Sequence, residues 1–214
     1  MKLGIVTGMV SEARLLDGVD GIVVSGGGHA DATLAKIDAL VGSGVTHLAS
    51  FGIAGALDPA LGPGDLLIGA EIVLPDKTRL AADNAWVARA ATALPQGRVA
   101  RIAGASHAVA SVADKKALYD TTGAAAIDME SHHVAAAARR HNLPFIVIRA
   151  IADTAVDALP QAALVGLNKE GRPAIGAVLL SLLRNPFQLP ALLRVARRSD
   201  IALKTLLGGR AGLL

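Results

Sequence analysis

PFIVIRAIAD (144–153) is the clearest buried strand in the chain, a nearly continuous apolar run that stops on the carboxylate of Asp153. Apolar residues without polar alternation mark a strand covered on both faces, as in sheets with helices above and below. Working back from it, an Ala-rich helix is expected over 131–141, and AAAID (124–128) is a weaker strand because alanine is a poor strand former. RVARIAG (98–104) and DLLIGAEIVL (65–74) are further strands, the second introduced by the turn signal Gly62-Pro63-Gly64. THLASF (46–51) is a short strand closing on Gly52 and Gly55. Near the start, KLGIVT (2–7) and GIVVSG (21–26) are strand-like, and a helix follows over about 30–41. Two or three helices follow Asp153. This alternation predicts an α/β fold, a single domain with a mixed, mostly parallel central sheet flanked by helices on both faces. In such sheets the site lies at the carboxyl ends of the strands.

Composition agrees with one domain of 214 residues. The chain is 52% hydrophobic but only 2% aromatic, so small aliphatic side chains must fill the core, which suits Ala-rich helices lying close on a sheet. Without cysteine there are no disulfides and no thiolate metal sites, and a reducing compartment is permitted. The opening KLGIVTGMVSE reaches Glu12 with no cleavage-site pattern and reads as a strand, not a signal peptide. Apolar runs such as AIGAVLLSLL (174–183) are too short to cross a bilayer, so a soluble, cytoplasmic protein is expected. The net charge of +3 is uneven: six basic residues against Asp200 give residues 184–214 a charge of +5, leaving −2 for residues 1–183. The body therefore offers no nucleic-acid surface.

Four places carry reactive groups. They are Glu12 beyond the first strand, the Gly-rich turns SGGG (25–28) and FGIAGAL (51–57), IDMES (127–131) with Asp128 and Glu130, and Asp153. Each also has a structural reading. Glu12 suits the first turn of a helix, the glycines suit tight turns, Asp128 or Ser131 can cap the following helix, and Asp153 can start a C-terminal one.

In combination they say more. FGIAGALDPALGPGDLLIGAEIV (51–73), followed by AAIDMESHHVAAAARRHNLPFIVIRAIADTA (125–155), resembles the purine nucleoside phosphorylase and methylthioadenosine/adenosylhomocysteine nucleosidase family. The Gly-x-Ala-Gly, Pro-Gly-Asp, Asp-Met-Glu and Arg-Ala-Ile-x-Asp segments stand in that family's order and spacing, across roughly residues 1–155. MKLGIVTGMVSEARLL looks like the nucleosidase branch, which places a glutamate at the position of Glu12. Asp-Met-Glu-Ser-His and the stretch SHAVASVADKKALYDTTGAAAIDMES (106–131) look like the hopanoid-associated phosphorylases, implicated in removing adenine from adenosylhopane in bacterial hopanoid synthesis. The resemblance implies a nucleoside phosphorylase-like catalytic domain, taken as 1–183, and the charge and helical pattern of 184–214 mark it as a basic amphipathic helical tail packed on that domain or extending it. It also implies a homo-oligomer, dimer or trimer, whose partner completes the pocket.

Cleaving the purine C1′–N9 bond needs an acid for the leaving base and a way to hold the sugar as it gains oxocarbenium character. Asp153, at the mouth of an apolar strand, is the expected acid, kept protonated by burial. Glu130 is the expected acceptor for the 2′- and 3′-hydroxyls, with Met129 against the ribose or base, and Ala54 and Gly55 beside the substrate. If the nucleophile is water, Glu12 is its base. If it is inorganic phosphate as co-substrate, Gly26, Gly27, Ile53 and Arg14 are the region that would hold it, although Arg14 at i, i+2 from Glu12 faces away on a helix. Ile53 departs from the usual nucleosidase serine or threonine, and the Gly-Asp-Pro-x-Arg phosphate motif is absent.

No cofactor or metal is expected. His132 and His133 are consecutive, diverge by about 100° on a helix, and read as helix surface. His107, in a loop, is a candidate substrate contact, and His29 after SGGG reads as a solvated loop residue. In the tail, Leu192, Val195, Ala196, Ala202, Leu203, Leu206 and Leu207 gather opposite Arg194, Arg197, Arg198 and Lys204. A helix docked on the domain explains this, as does one lying on an anionic membrane, which would suit a lipid-linked purine nucleoside. Methylthioadenosine and adenosylhomocysteine are the alternative substrates. The alternative to an enzyme is a silent nucleoside-binding module, and a Rossmann-type dinucleotide binder lacks the full glycine pattern.

Overall fold

Phe145, Ile146, Val147, Ile148 and Ile151 are all buried in β8 (Phe145–Asp153), where β-branched side chains fill both faces of the strand. The computed structural model describes residues 1–27, 30–165 and 174–214. The preceding strands are β1 (Leu3–Thr7), β2 (Ile22–Ser25), β3 (His47–Ala56), β4 (Leu66–Val73), β5 (Arg79–Ala81), β6 (Arg98–Gly104) and β7 (Ala126–Asp128). They form one eight-stranded sheet in the order β2-β1-β3-β7-β6-β4-β5, with β8 pairing both β3 and β4. Strands β3, β8, β4, β6 and β7 therefore close into a ring. Pairing is parallel for β1–β2, β1–β3, β3–β8, β4–β6 and β6–β7, and antiparallel for β3–β7, β4–β5 and β4–β8. The mixed, mostly parallel sheet expected from the sequence is what forms.

The helices are α1 (Val10–Arg14), α2 (Ala30–Gly42), α3 (Asn84–Ala93), α4 (Val112–Thr122), α5 (Ser131–His141), α6 (Gln161–Leu164), α7 (Ile175–Arg184) and α8 (Leu189–Gly209). Local chemistry starts and stops them. The Asp83 carboxylate accepts the Trp86 N–H at α3, and the Ser111 hydroxyl accepts the Asp114 N–H at α4. Gly123 and Asn142, both left-handed, end α4 and α5. Buried Ala135, Ala137 and Ala138 let α5 lie close on the sheet.

Two expectations are corrected here. Gly52 and Gly55 do not form a turn, because β3 runs through both to Ala56. The helical tail does not present a clean apolar side over its whole length: Ala196 and Leu207 are exposed, while Ala202, Leu206 and Leu213 join the core. The second half of α8 and the short 3₁₀ turn after it are thus part of the domain's packing, against Ile148, Leu66 and Phe51 near Gly209.

Candidate active site

Glu12, Glu130 and Asp153, with Asp128 beside them, line one cavity of about 730 Å³ at the carboxyl ends of the strands. Glu12 sits in the first turn of α1, Glu130 follows β7, and Asp153 ends β8. Each fits only because a glycine faces it. A Cβ at Gly52 would lie 2.8 Å from Glu12 Oε1, one at Gly8 would lie 2.9 Å from Glu130 Oε1, and one at Gly55 would lie 3.0 Å from Asp153 Oδ1. The register between β3 and β8 shifts between Ala54 and Gly55, which sets Gly55 opposite Asp153.

Glu12 is fixed by main-chain donors. The Gly8 and Met9 N–H groups donate to Oε2 and the Ile53 N–H to Oε1, all at 2.8 Å. The Met9 bond is the glutamate half of a capping box, so the helix-start reading of Glu12 holds and the same carboxylate still lines the cavity. A carboxylate has about four acceptor positions; three are taken by amides, and the remainder is open to a water. Residue 53 serves this carboxylate through its backbone, which an isoleucine does as well as a serine. Burial pushes the Glu12 carboxyl up, opposed by those amides and by Arg149.

Asp128 is occupied structurally. Its Oδ1 accepts the Glu130 and Ser131 N–H groups at 2.8 and 2.7 Å, and its Oδ2 accepts Arg149 Nε at 2.8 Å. Arg149 is 1% exposed and also donates to Ser50 Oγ at 2.5 Å and the Ile148 carbonyl at 3.0 Å. Burial raises Asp128, but Arg149 and the two amides outweigh it and hold the carboxyl below its usual range.

Glu130, by contrast, is pushed up to about 8, first by burial and then by Asp128. Between 4.5 and about 8 the unfolded chain has lost this proton while the folded chain keeps it. Rising pH therefore favours unfolding across that window and stops doing so above it. Melting temperatures from pH 5 to 9 should fall less steeply in Glu130→Gln than in the wild type; parallel curves would place the proton elsewhere.

Asp153 meets a residue the sequence reading did not single out. Lys115 on α4 is fully buried and donates to Asp153 Oδ2, to the Thr154 carbonyl at 2.8 Å and to the Asp157 carbonyl at 2.9 Å. Burial raises the Asp153 carboxyl and Lys115 pulls it back, leaving it above its usual value.

Met129, Ala54, Gly55, Ile53 and His107 all line the cavity, as does Gly27. The region considered for phosphate is less suited to it. The Gly26 and Gly27 N–H groups are spent on the Thr7 and Gly8 carbonyls, at 2.7 and 2.9 Å. Arg14 is exposed and off the cavity wall, turned away from Glu12 by helix geometry. Among the described residues no Lys or Arg lines the cavity. Gly28 and His29 lie outside the described residues. His132 is not surface as expected: it is buried beneath Gly104, its ring 3.8 Å from that of His133, and burial first of all lowers its pKa to about 4. No group of three or more His, Asp or Glu fit to hold a metal occurs among the described residues.

The family model described as "Phosphorylase superfamily" matches residues 5–184. The chain belongs to the phosphorylase superfamily. Three solved structures illustrate how this superfamily member is built. The 5′-methylthioadenosine/S-adenosylhomocysteine nucleosidase of Neisseria meningitidis, in complex with methylthio-immucillin-A, has a TM-score of 0.76 at 15% identity, over 99% of this chain and 97% of that one. The S-adenosylhomocysteine nucleosidase of Streptococcus pyogenes has a TM-score of 0.72 at 19% identity, over 100% and 98%. The futalosine hydrolase of Helicobacter pylori has a TM-score of 0.71 at 18% identity, over 98% and 97%. At these identities the likeness is one of fold. No curated protein sequence matches.

Proposed function

We propose that this superfamily member cleaves the N-glycosidic bond of an adenosine derivative, releasing adenine by attack of water on C1′. The observation that carries this reading is the set of three carboxylates, buried Glu12 and Glu130 and half-buried Asp153, on the wall of one cavity that no Lys or Arg among the described residues lines. Asp153 donates a proton to N7 of the base, and the Lys115 ammonium meets the carboxylate left behind. Glu130 receives the ribose hydroxyls. Glu12, held by three amides, orients and deprotonates the water. A phosphate dianion in the same place would face Glu12 and Glu130, with no Lys or Arg among the described residues lining the cavity and the Gly26 and Gly27 amides already engaged.

The lining also includes the apolar residues Val109, Leu159, Ala163, Leu164 and Val195, with Ser199 as a polar neighbour one turn from Val195. This supports an apolar group on the ribose 5′ carbon, as in adenosylhopane, over the zwitterionic tail of adenosylhomocysteine. Methylthioadenosine is the second apolar candidate.

Adenine release from all three nucleosides, with and without phosphate, tests the proposal. Release from the apolar substrates without phosphate is expected, unchanged when phosphate is added. Release only with phosphate would replace water as nucleophile, and no release from any would leave a nucleoside-binding module.

A further inference from the structure

Helix α7 buries none of its ten residues. Ile175, Leu179 and Leu183 follow at i, i+4 and i+8, with Leu180 beside them, and they are 68, 55, 82 and 49% exposed. A helix in a globular domain normally turns such a stripe to the core; here the stripe faces outward. It continues past a bend of 117°. Phe187, at that bend, is 89% exposed, whereas the other two phenylalanines, Phe51 and Phe145, are buried. On the first turns of α8, exposed Leu189, Leu193 and Arg197 stand in line at i, i+4 and i+8.

The charge on this face has one sign. Residues 174–199 contain four arginines and no acid. Arg198 and Arg194 lean on Asp157, at 2.6 and 3.8 Å. Arg184, one turn beyond Leu180, and Arg197, one turn beyond Leu193, have no carboxylate within 4.0 Å among the described residues. Helix α7 packs on α6, whose Ala163 and Leu164 line the cavity.

We propose that α7, Phe187 and the first turns of α8 dock on an anionic lipid surface, with Leu183 and Phe187 entering the acyl boundary and Arg184 and Arg197 at the level of the headgroup phosphates. Exposed apolar side chains flanked by unopposed arginines are the composition that a negatively charged bilayer complements. An isologous contact with a second copy would bring two acid-free, arginine-bearing faces together. The contact proposed is peripheral: no single helix among the described residues is long and apolar enough to cross a membrane, and the pair that meets that length and composition together, 175–184 with 186–213, is bent by 117°. The proposal is independent of the chemistry in the cavity.

Co-sedimentation of the full chain with vesicles of phosphatidylcholine plus phosphatidylglycerol, against phosphatidylcholine alone, tests it. Binding to the anionic vesicles is expected, weakening as salt is raised. Leu183→Glu with Phe187→Glu should cut that binding by about tenfold or more, and Arg184→Gln with Arg197→Gln should remove the preference for anionic lipid. All four side chains are exposed, so thermal melts should match the wild type. Equal binding of wild type and variants, or none to anionic vesicles, overturns the proposal. So does a wild-type dimer, seen by light scattering, that the Leu183/Phe187 variant dissolves without any vesicle binding.

Discussion

Replacing Asp153 by asparagine lowers the rate of adenine release by about 10³-fold, the scale of a lost general acid, while the protein folds as before. Asparagine keeps the shape and an acceptor oxygen for Lys115, which also retains the Thr154 and Asp157 carbonyls. What it lacks is a proton to give. The loss should therefore depend on the leaving group. A riboside that expels para-nitrophenolate needs no proton and should be cleaved by the variant nearly as fast as by the wild type. Equal losses on both substrates, or none on the nucleoside, would remove Asp153 from the acid role.

The largest effect on stability is expected at Arg149→Met. Arg149 and Asp128 are each about 1% exposed at the side chain and are bonded at 2.8 Å. Removing one partner of such a buried pair costs about 3–5 kcal/mol, because the other charge is left without compensation. In a domain of this size that lowers the melting temperature by roughly 10 °C. Asp128 would keep its two amides and lose its cation, and Glu130 would lose one of the influences that hold it down. Adding Asp128→Asn should recover part of the stability, since the stranded charge goes with it. A single variant that melts with the wild type would show that the pair holds little.

Much of the fold was legible because burial writes itself into composition. Strands β8 and β4 are mostly apolar, interrupted only by Arg149 and the terminal Asp153 in one and Glu71 in the other, and the Ala-rich run of α5 reads directly as a close-packed helix. Of the elements not anticipated, α4 lacks that signature. Helix α4, VADKKALYDTT, has no apolar periodicity, and at Lys115 a position facing the interior carries a charge. Nothing local separates Lys115 from the exposed Lys116, since its partner lies 38 residues on. Arg149 stood in view within PFIVIRAIAD, but its partners Asp128 and Ser50 are 21 and 99 residues away. Glycine misled at Gly52 and Gly55, where a turn was expected. The residues are there for the space a missing side chain leaves to Glu12 and Asp153, and spatial need of that kind has no sequence signature.

The ring of strands also constrains the order in which the protein can assemble. Strand β8 joins β3 to β4, and its partners in β3 precede it by nearly one hundred residues. Until it is made, β3 and β4 present open edges, of the sort that pair with other chains. Contacts so distant in sequence form slowly. Helix α8, which follows β8 in the chain, packs over both β8 and β3. The arrival of β8 also brings Asp153 beside Gly55, so one event closes the sheet and puts the proposed acid in place.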